Sequence, residues 1–375
     1  MTLDLVEKDR RYRLVRERMA AQNLDALIVI GNAQITQKGY VKYLTNYRSM
    51  LYDLVVIFPI QGEARLLVPS PVQKYWGGIL SWIKNIEEQV PNLNKSLSRS
   101  LQEMGLSKGR LGLINTKIIS ADAYLSLTKD FPDASLVDAT PILEEIRMIK
   151  SRGEQELVRT AAGLADLSFK VLSEILRPGM TEREIIAQVD RALIAGGAED
   201  IFHIFSSKPG NLFPFAPSDR AIEKGDIIIL NTELSGPGGY WVQMVRTSFL
   251  GRPKSHIERM YDTLIEIRSR LIGQLRPDKK ASEVAKWVRN EIVNGGFEIG
   301  VNFGHCLGLD VVERPLVHLN DETPLKPGMI ITVHPQLVSR EKDATIWLAD
   351  TYLITEGDAE VLTKVEPHEM KIVDG

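Results

Sequence analysis

Cysteine is nearly absent: Cys306 is the only one in 375 residues, so no disulfide can form within the chain and a reducing compartment is expected. Long apolar runs are missing as well. Those at Ala26 to Ile30 and Ile227 to Leu230 are of strand length, far short of the ~18 residues that a membrane span needs. The opening residues MTLDLVEKDRRYR have neither the apolar core nor the small-residue cleavage site of a signal peptide. The expectation is a cytoplasmic protein. Neither charge dominates: the formal net charge is -3, with both signs spread along the chain, which leaves no basic stripe for phosphate backbones and no polybasic patch for lipid. Nucleic acid and membrane are not expected partners.

What is present is an ordinary globular composition, 44% hydrophobic and 25% charged, in a chain long enough for two domains. A charged amphipathic helix reads from Val6 to Asn23, followed by a strand at Ala26 to Gly31. Further strands read at Leu54 to Pro59, Arg65 to Val68 and Arg110 to Ile114, with helical stretches around Leu97 to Met104 and Ala121 to Lys129. That alternation is α/β. Near Pro141 it gives way to one long helical region, Ile142 to Leu176, in which Leu157, Ala161, Leu164, Leu167 and Val171 fall at three- and four-residue spacings. A domain boundary is expected near residue 140, giving domains of 1–140 and 141–375.

The second domain repeats itself weakly. At an offset of 99 residues, Arg177-Pro178 matches Arg276-Pro277, Glu184 matches Glu283, Val189 matches Val288 and Gly196-Gly197 matches Gly295-Gly296. Each copy reads as a helix that starts after an Arg-Pro turn and stops at a glycine pair, and Thr181 with Glu184 has the spacing of a capping box. Chance identity between two helices is the plainer reading. Agreement of start, length and stop favours a duplicated half-domain around a pseudo-twofold cleft, a natural place for a site.

Six short stretches occur in the order and register seen in the creatinase, prolidase and aminopeptidase P group. They are Ile146 to Ser151, Arg177 to Thr181, Gly225 to Leu230, Met244 to Thr247, Gly304 to Leu309 and Pro327 to Ile330. Over essentially its whole length the chain resembles that family. The resemblance implies a two-domain α/β architecture: a creatinase-type N-terminal domain and a "pita-bread" C-terminal domain with an internal pseudo-twofold repeat. It also implies a homodimer in which one chain's N-terminal domain leans over the partner's cleft. Arg48, Met50 and Tyr52, before the Leu54 strand, are the candidates for reaching the other site, with Arg48 and Tyr52 as substrate contacts.

Peptidases of the family hold two metal ions with two Asp, one His and two Glu, and the metals activate a bridging water. Carried over position by position, the first Asp slot is Asn231, the second Gln243, the His slot His305, the first Glu slot His334 and the second Ala349. One ligand survives. Two divalent cations would sit there without the carboxylates that offset their charge, so no metal and no other cofactor is expected. The family's accessory histidines fall at Phe213 or Pro214 and at Val312. Creatinase hydrolyses a C–N bond without metal and also has an asparagine at the Asn231 slot, but its histidine and carboxylates have no counterpart here.

The remaining polar residues have their own chemistry. His305 and His334 are candidate acids or bases, since an imidazole titrates near ~6.5; the plainer reading is that each bonds a neighbour. Glu233 lies two residues from Asn231, so a regular strand turns both to one face, and it can supply the missing carboxylate or be a solvated hairpin-end residue. Asn231 and Gln243 can orient a polar substrate group or be neutral remnants. Glu313 can hold the cleft rim, bind a substrate amine or form a structural salt bridge. Trp241 and Trp347 bracket the former ligand slots and can line a pocket or fill core. Alternation along the strand puts Cys306 behind His305 as a buried apolar residue.

These readings lead to a metal-independent hydrolase of a C–N bond in a small metabolite, with His334, His305 and Glu233 as catalytic candidates. Asn231, Gln243, Glu313, Trp241 and Trp347 join Arg48 and Tyr52 as substrate-binding candidates. Two alternatives stand beside it: a pita-bread pseudoenzyme that binds a peptide or small molecule without turnover, and an Xaa-Pro-type peptidase with a rearranged mononuclear site built from His305, His334 and Glu233.

Overall fold

The computed structural model describes residues 3–367, and its contacts divide the chain into two compact units between Arg147 and Met148. The division falls inside the helix Thr140–Met148. Among the described residues no helix is long and apolar enough to cross a membrane.

The N-terminal unit is built on a six-stranded sheet in the order Asn85–Glu88, Arg65–Val68, Leu54–Pro59, Ala26–Gly31, Arg110–Ile114, Ser135–Asp138. Ala26–Gly31 runs antiparallel to Leu54–Pro59 and parallel to Arg110–Ile114. Strands buried on both faces read as unbroken apolar runs, which is why these were legible. The helix expected at Val6 to Asn23 spans Leu5–Ala21, with the Asp4 carboxylate capping the Glu7 N–H.

The single helix expected from Ile142 to Leu176 is two helices, Thr140–Met148 and Arg152–Ile175. The break is a local stop and restart. Lys150 turns its N–H to the Gly328 carbonyl, and Ser151, in an extended conformation, caps the second helix through a reciprocal capping box with Glu154. Apolar periodicity runs on through the break and hides it.

In the C-terminal unit the repeat is visible in the backbone. Helices Glu182–Ala195 and Ala281–Asn294 are both 14 residues long, and each ends in a glycine pair whose second member has positive φ, 99° at Gly197 and 87° at Gly296. Ahead of them Gly179 and Asp278, at φ 91° and 66°, donate their N–H groups to Ile222 and Leu325. The correspondence continues at Gly225 (φ 96°) and Gly328 (φ 90°), each of which opens a strand, Ile227–Ser235 or Ile330–Val333.

The first half-sheet has the order Asp200–Ser206, Ile227–Ser235, Trp241–Phe249. The second has the order Glu313–Leu316, Gly304–Cys306, Ile330–Val333, Asp350–Leu353, Glu360–Val361. Reciprocal backbone hydrogen bonds between Val245 and Ala349 join the two. Helices Ser255–Leu271 and Ala281–Asn294 pack Met260, Leu264, Val284 and Val288 against Cys306, Ile331 and Tyr352. That seals the Cys306 face of the second half-sheet in core and leaves His305 and Thr332 on the other, while on the first half-sheet Ile227 and Ile229 reach the same core from the strand face that also carries Asn231 and Glu233.

Candidate functional site

Strand register decides which side chains share a face. Glu233 is the cross-strand partner of Gln243, and Asn231 that of Val245, so Asn231, Glu233 and Gln243 point the same way. All three are buried. Asn231 Nδ2 donates to Glu233 Oε1 at 2.9 Å, and Gln243 Nε2 donates to Asn231 Oδ1 at 3.1 Å and to Glu233 Oε1 at 3.2 Å. Both partners of the Gln243 amide nitrogen are acceptors, which fixes its orientation and leaves Gln243 Oε1 buried without a partner. Burial pushes the Glu233 carboxyl up to about 7, against the opposing pull of the Asn231 hydrogen bond.

On the second half-sheet His305, Thr332 and Thr351 are successive cross-strand partners and form a row on one face. Thr351 meets the first half-sheet: its Oγ1 accepts from the Gln243 N–H at 3.0 Å and donates to the Gln243 carbonyl at 2.8 Å. Gly304 lets its strand lie close to Ile330–Val333, since at φ 149° a Cβ would overlap the Thr332 carbonyl oxygen. The opposite face takes Cys306 into the core, as alternation requires, and burial pushes its thiol up to about 12. Cys306 therefore stays a thiol and is no nucleophile.

His305 Nδ1 lies 3.0 Å from the Cys306 carbonyl, so that nitrogen carries the proton and Nε2 keeps its lone pair. His334 stands six residues after Gly328 as Asn231 stands six after Gly225, so the two occupy equivalent places in the repeat. Its ring is edge-on to His305 at 5.7 Å between centroids and to Trp347 at 5.9 Å, and Trp347 Nε1 donates to the His334 carbonyl at 3.0 Å. The expectation that His334 exchanges protons near neutral pH is overturned. Burial, and then the positive charge that His305 would carry, push it down to about 3; burial also lowers His305. Both rings are neutral at cellular pH, and the group poised near neutrality is Glu233.

Other expected residues lie elsewhere. Glu313 is in a buried ion pair with Lys150 at 3.0 Å, and a Cβ at Gly308 would overlap its carboxylate, so the salt-bridge reading holds over a rim or an amine contact. Trp241 is fully buried opposite Ser235 at the end of its hairpin and fills core. Arg48, half-buried, and Tyr52, exposed, belong to the N-terminal unit. Thr332, Thr351 and Lys150 were missed by sequence reasoning. The signal for the threonines was available in the repeat, but a polar residue in a central strand announces its face only once the register is known.

The two-metal set that the resemblance implies does not fit these residues. Two of its slots are amides engaged with one carboxyl, a third is an imidazole held neutral, and a fourth, Ala349, has no donor atom. Among the described residues no three His, Cys, Asp or Glu side chains are grouped as a metal site, and His305, His334 and Glu233 are not gathered into one in this structure.

The profile of metallopeptidase family M24 matches residues 156–356, and that of the creatinase/prolidase N-terminal domain matches residues 11–149. The chain is 29% identical over 266 residues to an Xaa-Pro dipeptidase of Pyrococcus furiosus, covering 68% of this chain and 76% of that one. It is 24% identical over 359 residues to the uncharacterized peptidase YqhT of Bacillus subtilis, covering 94% and 98%. Among solved structures, the prolidase of Pyrococcus horikoshii OT3 superposes with a TM-score of 0.84 at 24% identity, over 96% of this chain and 100% of that one. At that identity the likeness speaks for the fold.

Proposed function

Because the chain belongs to metallopeptidase family M24 and carries a creatinase/prolidase N-terminal domain, we propose that it hydrolyses the amide C–N bond of a small peptide, with the Glu233 carboxyl handling the proton in place of the family's metal-bound water. One observation carries this reading. A carboxyl poised at about 7 stands beside the two former Asp slots, on the same strand face, with one oxygen held by their amides. The small metabolite of the sequence expectation gives way to a peptide, since the named relatives include Xaa-Pro dipeptidases and probable dipeptidases.

In this reading Glu233 as carboxylate takes a proton from water on Oε2 while the water oxygen bonds the substrate carbonyl carbon. The C–N bond then breaks, and the proton passes from Oε2 to the leaving nitrogen. The products are a carboxylic acid and an amine, and Glu233 returns as carboxylate. Asn231 and Gln243 hold Oε1, so the carboxyl cannot rotate away between the two transfers.

The test is hydrolysis of a panel of dipeptides, Xaa-Pro among them, by protein treated with chelator and checked by elemental analysis. Activity should survive chelation, and Glu233→Gln should lower kcat by about 10²- to 10⁴-fold. The parent's kcat/KM should show an ionisation near pH 7 that Glu233→Gln loses and His334→Ala keeps. Activity that disappears with chelation and returns with manganese or cobalt would make the protein a metal-dependent peptidase instead. Peptide binding with no turnover would leave the pseudoenzyme.

A further inference from the structure

Among the described residues three phenylalanines are exposed, Phe202 at 41%, Phe213 at 64% and Phe215 at 79%. Phe202 lies on Asp200–Ser206, the edge strand of the first half-sheet, and the other two lie on the loop of residues 207–220 that leaves it. That loop is pinned. Its ends share one carboxylate, since Glu182 accepts the N–H and the hydroxyl of both Ser207 and Ser218, and near its middle the Leu212 carbonyl accepts from Gln336 Nε2 at 3.1 Å. A loop held at three points has little freedom to fold its aromatic side chains inward, so their exposure is built in. Exposed aromatic groups gathered in one place mark a contact surface.

The backbone of the edge strand is open as well. Phe205 and Phe215 exchange backbone hydrogen bonds at 2.7 and 3.3 Å, so the Phe205 N–H and C=O point outward, away from Ile227–Ser235. Alternation gives His203 and Ile201 the same outward direction. The loop does not continue the ladder that it begins. In that register the residue opposite His203 is Pro217, which has no N–H to give, and Ser218 turns away to Glu182. Neither His203 nor Ile201 has an outward backbone partner among the described residues. The His203 side chain is only 5% exposed whereas the residue as a whole is half-buried, so what it shows to solvent is its backbone. Three carboxylates border these groups: Asp190, which lies 2.8 Å from His203 Nε2 and is 37% exposed, and Glu199 and Asp200 at the start of the strand.

We propose that this edge takes an extended peptide segment of another chain as an added antiparallel strand, paired with Ile201 and His203 and reading basic, apolar, basic. The residue opposite Phe202 shares its face and is the apolar one, held as a cross-strand pair. Its two neighbours turn to the His203 face, where the bordering carboxylates favour basic side chains and repel acidic ones. Binding here rests on the backbone of the outer strand and on Phe202, so it goes beyond the hydrolase reading and does not depend on it.

Fluorescence anisotropy with the full chain tests it. The probe is fluorescein-Thr-Lys-Phe-Lys-Thr-amide, blocked at both ends, compared with the same peptide N-methylated at its lysine amides and with a peptide carrying Glu in place of each Lys. The N-methylated form keeps every side chain and loses the N–H groups that would pair with the edge, so it should bind about tenfold or more weakly than the parent peptide. The acidic form should bind at least about threefold more weakly. On the protein side, Ile201→Pro removes one outward N–H at an edge position, where proline is tolerated, and should weaken the parent peptide by about tenfold. Phe202→Ala should weaken it by roughly threefold, and thermal midpoints check that both variants fold. No binding of the parent peptide up to a Kd of about 1 mM, equal binding of the N-methylated form, or affinity unchanged in both variants overturns the proposal. So does a dimer of the protein that Ile201→Pro splits, which would give the edge to a second copy of the chain. Binding in the predicted order by a protein that hydrolyses no peptide leaves the proposal standing and removes only the hydrolase reading.

Discussion

Glu233 and His334 carry shifts of opposite sign, and their effects on stability oppose each other over an overlapping pH range. Glu233 is raised from 4.5 to about 7, so the folded protein holds a proton there that the unfolded chain releases. Its contribution is fully present below about pH 4.5 and is lost as pH rises through about 7, at up to about 1.4 kcal/mol per pH unit. His334 is lowered from 6.5 to about 3, so its contribution is present above about pH 6.5 and is lost as pH falls toward 3. Between about pH 4.5 and 6.5 the two slopes cancel to first order. Removing one exposes the other. Glu233→Gln should therefore gain thermal midpoint relative to the parent as pH is raised across that window, and His334→Gln should lose it. Differential scanning calorimetry of the three proteins over a pH series checks this, and parallel curves would mean that neither group is perturbed as described.

At the scale of elements, two glycines mark opposite demands. Gly304 opens the strand of His305 at φ 149°, against the Thr332 carbonyl, and admits no side chain. Gly163, in the interior of the helix Arg152–Ile175, has open space where a Cβ would go. Gly163→Ala should raise stability by about 0.5–1 kcal/mol, and Gly304→Ala should cost more than that and disturb His305. Melting curves and the His305 ring NMR signals would check both, and a destabilised Gly163→Ala would show that the helix has a contact there that the structure lacks. Legibility followed the same physics. Ala26–Gly31 and Leu54–Pro59 could be read residue for residue because burial on both faces writes an apolar run. The slots Asn231, His305 and His334 could be counted from fixed glycines, and Gln243 from the Met244 to Thr247 stretch that follows it. The poise of Glu233 could not be read, because it arises from burial and from amides contributed by two strands, and sequence spacing carries no measure of desolvation.

At the scale of the whole molecule, the sequence also hid a surface. Helix Pro71–Leu80 places Val72, Tyr75, Trp76, Ile79 and Leu80 at the three- and four-residue spacing of a core-facing helix, yet all five are exposed and Gly77 alone is buried. The same unit exposes Met50, Leu51 and Tyr52. A contiguous apolar stripe on a water-facing helix marks an interaction surface, and the homodimer implied by the family resemblance supplies a partner with an identical stripe. A net charge of only -3 offers little self-repulsion against such pairing. The chain is expected to sediment as a dimer at micromolar concentration. Trp76→Glu and Ile79→Glu, each placing a charge in the stripe, should shift it toward monomer by tenfold or more in Kd, about 1.4 kcal/mol or more, while the thermal transition of the C-terminal unit stays in place. A parent protein that sediments as a monomer, or a dimer indifferent to both substitutions, would assign the stripe to a different partner.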